Sequence, residues 1–233
     1  MTISYSAIME DLARSAKQYG TVRTARYILA ERRGRGLFTP KFNDTRSVFI
    51  HVPKAAGNSV AKAIYGKETR HYPAFLYRLV NQERFNQYFT FAIVRNPWDR
   101  LVSAFHYLKQ GGKTETDRMW ALENLSEFEG FDSFVRNWVT PNNIMKRIHF
   151  WPQSYFICDR ESRVMVDYVG RLETIQDDFL NITERIGIGS ELRSENPSMH
   201  RHYLDYYTKE TSDIVARVYA ADIFAFGYDP TQA

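Results

Sequence analysis

Three side chains stand in settings that suit chemistry on an anion: Lys54, Arg95 and Ser103. Lys54 opens the stretch PKAAGNS, a loop of small residues that leads from an apolar run into a helical pattern. In that geometry the backbone N–H groups of Ala55, Ala56, Gly57, Asn58 and Ser59 are free to face an oxyanion, and the lysine adds a mobile full charge. Arg95 ends a second apolar run, where a guanidinium can grip a phosphate with two parallel N–H bonds. Ser103 follows Asn96 by seven residues and Asp99 by four, so it shares their helical face and its hydroxyl can reach the same anion. The blander alternatives are a surface lysine on an ordinary strand–helix turn, and an Arg95 that pairs with Asp99 or caps its own helix.

The elements that would position these residues are legible around them. Val48, Phe49, Ile50 and Val52 form a β-branched, apolar strand, followed by a loop with Pro53 and Gly57 and a helix with Asn58 or Ser59 as its N-cap. Tyr88 to Val94 is the second buried strand. Asn96 as N-cap, Pro97 in the first turn and Asp99 near the positive end of the dipole predict a helix that stops at Gly111–Gly112. Residues 113–150 read mainly as helix, 154–158 and 164–169 as two β runs forming a hairpin or neighbouring strands, 173–186 as a helix, and 209–221 as the last helix, with a tail packing its aromatics inward. Ahead of all this, Ile8 to Leu29 recur at three- and four-residue steps, one long or two shorter amphipathic helices with Gly20 as the break. Alternating strands and helices predict an α/β domain with a mainly parallel sheet over 46–233, preceded by a helical arm over 1–45. Both polar loops then leave the carboxyl ends of strands, where such sheets bind ligands.

Composition narrows the class. The 233 residues are 44% hydrophobic and 25% charged, which suits a folded core. A net charge of +4 suits an anionic ligand and is too weak to argue for nucleic acid. The lone cysteine, Cys158, excludes an intrachain disulfide and sits in an apolar run as a small buried hydrophobe. No stretch approaches the length of a membrane span and no signal peptide is evident, so the expected location is cytoplasmic. The arm ends in ERRGRG, ordinarily a solvated helix end, with contact to an acidic acceptor or a membrane surface as the alternative.

HVPKAAGNSV followed by FAIVRNPWDRLVSAFHYL closely resembles the two donor-binding motifs of the sulfotransferase family that includes the Golgi carbohydrate sulfotransferases and many soluble bacterial relatives. HFWPQSYFI, VDYVGRLETIQDDF, and NPSMHRHYLDYYTKE with YAADIFAFGY fit the same family, so the resemblance covers about 46–229. It implies a P-loop-like, three-layer α/β fold and a donor, 3′-phosphoadenosine 5′-phosphosulfate (PAPS), with no metal. By resemblance Lys54 and the 55–59 loop hold the 5′-phosphosulfate, Arg95 and Ser103 hold the 3′-phosphate, and Ser198, His200 and Arg201 belong to a stretch that closes over the donor. The implied acceptor is a hydroxyl on a saccharide or glycoconjugate. The kinase pattern GxxxxGK[ST] fails because lysine precedes glycine here, and a sulfuryl group carries less charge than a phosphoryl group, so lysine and amides can suffice. The family loop commonly reads PKTAGTS; Ala55 and Asn58 replace its threonines, which implies altered donor contacts with activity retained.

An acceptor hydroxyl needs a base. His71, between the two motifs where relatives place a histidine or carboxylate, is the first choice, and Glu68 its substitute; His106 and His149 remain candidates, and His51 reads as structural. A metal-dependent nucleotide kinase and a non-catalytic adenosine-phosphate-binding module are the rival functions.

Overall fold

The computed structural model describes residues 5–192 and 201–229. Two helices come first, α1 (Tyr5–Tyr19) and α2 (Thr21–Arg32), broken at Gly20, whose φ of 82° costs glycine little. A short α3 (Pro40–Thr45), N-capped by Thr39, leads into β1 (Ser47–Ile50). After α4 (Gly57–Tyr65), α5 (Ala74–Val80) and α6 (Gln82–Gln87) the chain returns as β2 (Phe89–Val94). Then come α7 (Pro97–Lys109), α8 (Glu115–Leu125), α9 (Phe131–Trp138), two 3₁₀ turns, α10 (Gln153–Ile157) and β3 (Tyr168–Arg171). Helices α11 (Ile175–Ile186), α12 (Lys209–Val218) and α13 (Ala220–Phe226) complete the described chain.

The strands pair in the order β1–β2–β3, all parallel, with Ser47 opposite Phe89 and Phe91 opposite Tyr168. Every residue of β1 and all but the first of β2 are buried, the continuous apolar pattern of strands covered on both faces. This is an α/β fold with a small sheet, three strands among the described residues. Because β1 and β2 are parallel neighbours, the loops following them emerge at the same edge. One core surrounds the sheet; a second gathers around α7, where Trp98, Leu101 and Phe105 meet Phe134, Trp138, Phe150 and Tyr219. The first helices are tied down by buried charge: Arg78 makes two hydrogen bonds to Asp11 (2.7 and 3.0 Å), and Arg14 donates to the carbonyls of Tyr155 and Cys158.

Local patterning misjudges four places. Residues 153–157 form a helix, not a strand, because the buried carboxylate of Asp222 accepts from the N–H groups of Gln153 and Ser154 (both 2.8 Å) and caps the helix from far along the chain. The predicted hairpin shrinks to one antiparallel bridge, Cys158–Val164, and the third strand starts later, at Tyr168. There Asp167 is held by the N–H and hydroxyl of Thr90 (both 2.8 Å) as the chain enters the sheet. Helix α4 begins at Gly57 with Ala56 at the cap, so Asn58 and Ser59 lie inside its first turn rather than capping it. The last predicted helix is two, divided at Tyr219; in the tail Phe226 and Tyr228 pack inward as expected, whereas Phe224 is 84% exposed.

Candidate active site

The loop between β1 and α4 carries an unusual backbone. Lys54 and Ala56, neither of them glycine, sit at φ 67° and 56°. Each costs on the order of 1 kcal/mol relative to ordinary geometry, so packing must hold them. Positive φ interspersed in a turn is the conformation that brings successive N–H groups to one side. The same packing explains Gly57: a Cβ there would lie 2.0 Å from Cδ2 and 2.2 Å from Nε2 of His51. Glycine is demanded by the buried imidazole against it, and the first turn of α4 is thereby drawn onto the end of β1.

Lys54 carries its charge in a hostile setting. Its ammonium lies 4.1 Å from the centroid of the Tyr107 ring, a cation–π contact. Burial foremost, then repulsion from Arg95 and Lys113, push its pKa down to about 8, against a pull upward from Asp117. A cation so placed is stabilised by any anion that enters.

Arg95 faces the same loop from the end of β2. Its Nε and Nη2 make a two-pronged pair with Asp99 (2.7 Å each), and Nη1 donates to the carbonyl of Lys54 (3.3 Å). The two motifs are thus joined by a direct bond. Gln153 locks the Arg95 backbone, its amide accepting from Arg95 N (2.9 Å) and donating to Arg95 O (2.8 Å). Asn96 caps α7 through Trp98 N and Asp99 N, its own N–H is bound by Glu173 (2.6 Å), and its side chain donates to the Tyr203 hydroxyl (3.3 Å). Ser103 is buried one turn beyond Asp99 on α7, with Tyr107 a turn further.

Three imidazoles gather beside Lys54. His71 Nδ1 is 2.9 Å from the carbonyl of His51 and its ring centroid is 4.1 Å from that of His51. A carbonyl only accepts, so Nδ1 carries the hydrogen, and in the neutral ring Nε2 holds the free lone pair. Burial lowers the pKa of His71 and keeps it neutral, although the His51 carbonyl and Glu68 pull the other way. His51, bonded through Nδ1 to Thr69 (3.1 Å), is driven down to about 3 by burial and by His71. His149, also kept neutral by burial with its pKa lowered to about 3, has Nδ1 3.8 Å from Asp117. Asp117 ties this side together, accepting from Tyr107 (3.0 Å), Thr114 (2.9 Å) and Arg147. Burial alone would raise its pKa; the bonds from Arg147 and Thr114 outweigh it and bring it to about 2.

Lys54, the 55–59 loop, Arg95 and His71 therefore meet at one end of the sheet, with Ser103 on the helix that leaves it. His149 joins them. Glu68 makes exposed pairs with Lys62 and Lys113 (3.9 Å each) and still acts on the charge of His71, and His106 packs against the rings of Phe105 and Tyr206. Arg201 lies over the Tyr206 ring (5.4 Å), while Ser198 and His200 fall outside the described residues. Sequence reasoning missed Tyr107, Asp117 and Gln153. Asp99, Ser103 and Tyr107 at four-residue steps form a polar stripe along α7 that could have signalled the first; Gln153 acts through Arg95, 58 positions away, and Asp117 reaches the site through Tyr107 and Arg147, 10 and 30 positions away.

Residues 42–229 match the model of the sulfotransferase family. The chain belongs to the sulfotransferase family. A protein of Archaeoglobus fulgidus whose name reads "Uncharacterized protein" is 30% identical to this sulfotransferase over 121 residues, which is 52% of this chain and 86% of the relative. No solved structure matches it. The matched span includes the loops after β1 and β2, His71, His149 and the Gln153 clamp, and leaves α1 and α2 outside.

Proposed function

We propose that this sulfotransferase takes its sulfuryl group from PAPS and passes it to a hydroxyl of a saccharide or glycoconjugate. The bond from Arg95 Nη1 to the Lys54 carbonyl carries the reading. It joins two cationic loops at the ends of neighbouring parallel strands, as a donor with anionic groups at its 3′ and 5′ positions requires. The fit extends to the charges: Lys54 stands among like charges that lower its pKa to about 8, a setting that an anion relieves.

When bound, PAPS supplies a sulfuryl group whose S–O bond to the phosphate breaks as the acceptor oxygen bonds to sulfur. The P-loop-like turn, Lys54 with the amides of Ala55, Ala56, Gly57, Asn58 and Ser59, would hold the 5′-phosphosulfate. Lys54 would also stabilise the charge that grows on the departing phosphate oxygen. Arg95 and Ser103 would hold the 3′-phosphate: of the five guanidinium N–H groups, three are engaged by Asp99 and Lys54 O, and two are left. By the family resemblance Arg201 and Ser198 would also contact the donor. His71, with Nδ1–H fixed on His51 O, presents Nε2 to receive the acceptor proton. A nucleotide kinase would need Asp99 for its metal, and Asp99 is spent on Arg95.

Incubation with radiolabelled PAPS and a panel of saccharides, lipids and phenols tests the proposal. Label appears in a hydroxyl acceptor, survives chelation of divalent metals, and is lost with Lys54→Ala. Binding of 3′,5′-adenosine bisphosphate with no transfer to any acceptor would instead make the protein a binding module.

A further inference from the structure

The net charge of this protein lies in one place. Residues 1–45 hold eight basic side chains against four acidic, while the rest holds 23 of each, so the whole net charge of +4 belongs to the first helices. Folding sharpens the asymmetry. Asp11 is buried against Arg78, and Glu31, the one acid of α2, is buried against Arg84 (3.1 Å). Arg14 is turned inward to backbone carbonyls. Arg23, Arg26, Arg32, Arg33 and Arg35 all remain exposed.

On α2 the helical period sorts the residues cleanly. Thr24, Tyr27, Ile28 and Glu31 face the body. Val22, Ala25 and Leu29 lie along the middle of the outer face, with Arg26 and Arg33 on one side and Arg32 on the other. Val22 is 68% exposed and Leu29 48%, so this outer face carries an apolar centre. At the N-terminal end of this face lies a cavity of about 650 Å³, lined by Arg23, Arg26 and Arg70 with Tyr19, Tyr27 and Tyr72 and no acidic residue. Arg23 lies over the rings of both Tyr19 and Tyr27 (5.9 and 5.7 Å). An apolar centre edged by arginines suits the boundary of a bilayer carrying negative headgroups, where the aliphatic side chains enter and the guanidinium groups stay at phosphate level.

We propose that the outer face of α2, with the arginine–tyrosine cavity at its end, docks this sulfotransferase peripherally on an anionic phospholipid surface, a phosphate headgroup occupying the cavity. Charge complementarity commits the occupant, and the docking stands independently of the donor chemistry at Lys54.

The test is sedimentation of the full chain with vesicles of equal parts phosphatidylcholine and phosphatidylglycerol. The protein pellets with them at low salt, not with pure phosphatidylcholine, and is released as salt rises. Each arginine removed lowers partitioning about fivefold, so the triple variant Arg26→Ser, Arg32→Ser, Arg33→Ser falls about a hundredfold. Its circular dichroism spectrum and its unfolding midpoint in urea stay as in the wild type, which shows the fold intact. In a second variant, Val22→Trp, the added tryptophan emission shifts to the blue when vesicles are supplied. Failure to pellet, equal pelleting with neutral vesicles, a triple variant that pellets like wild type, or an emission spectrum of Val22→Trp that vesicles leave unmoved would each overturn the proposal. Capture of soluble dextran sulfate without vesicle binding would overturn it as well.

Discussion

Binding at Lys54 should take up a proton, in an amount set by the structure. Burial and the neighbouring Arg95 and Lys113 lower the pKa of Lys54 to about 8 in the free protein. At pH 8 about half of the lysines are then neutral, and at pH 7 about a tenth. An anion against the ammonium favours the charged form and raises the pKa again. Binding of 3′,5′-adenosine bisphosphate should therefore consume about half a proton per site at pH 8 and about a tenth at pH 7. The ligand adds little at pH 8, because phosphate monoesters lose their second proton at about pH 6. Affinity follows the same sign: it falls as pH rises above about 8, by up to about tenfold per unit. Calorimetry in two buffers of different ionisation enthalpy measures the uptake directly. Lys54→Met should abolish the uptake at pH 8 and weaken binding about 10- to 100-fold, the worth of a charge-assisted hydrogen bond at roughly 1.5–3 kcal/mol. Tight binding at pH 8 with no buffer dependence in the wild type would refute the placement of the anion at Lys54.

Arg95→Ala should raise the KM for donor about tenfold or more, since it removes a charge-assisted grip of roughly 1.5–3 kcal/mol; steady-state kinetics with varied PAPS checks this, and an unchanged KM speaks against Arg95 as a donor contact. Because burial lowers the pKa of His71, the proposed base stays neutral at pH values below the ordinary imidazole pKa. The acid limb of the kcat/KM profile should accordingly lie below about pH 6.5, and His71→Asn should remove it. Gly57→Ala forces a Cβ to within 2.0 Å of the His51 ring. The expected loss is about 1–3 kcal/mol of stability, read as a lower midpoint in urea, and a midpoint equal to wild type would show that His51 moves away freely. Gln153→Ala leaves the buried N–H and C=O of Arg95 without their partners. It should cost about 1–3 kcal/mol per stranded group and weaken bisphosphate binding although Gln153 itself is outside both loops.

Much of the site is legible in local order. Lys54 before a run of small residues, Arg95 before Asn96-Pro97, and Ser103 a fixed number of helical steps later are short-range facts, and their loops follow from β-branched runs and helix-start chemistry acting within a few residues. The break at Gly20, at positive φ, belongs to the same class. What tertiary structure alone decides is whatever depends on a partner far along the chain. Asp222 turns residues 153–157 from an apparent strand into a helix because a distant carboxylate satisfies the two N–H groups that a strand would have paired. Gln153 then fixes Arg95, Asp117 fixes Tyr107, and Tyr107 receives Lys54, links spanning 58, 10 and 53 positions, none of which is a spacing that propensity can register. Residue types and order determined which side chains could hold an anion; close packing at the end of the sheet, where burial costs charge its hydration and partners must replace it, decided how those side chains are held and which of them are paired.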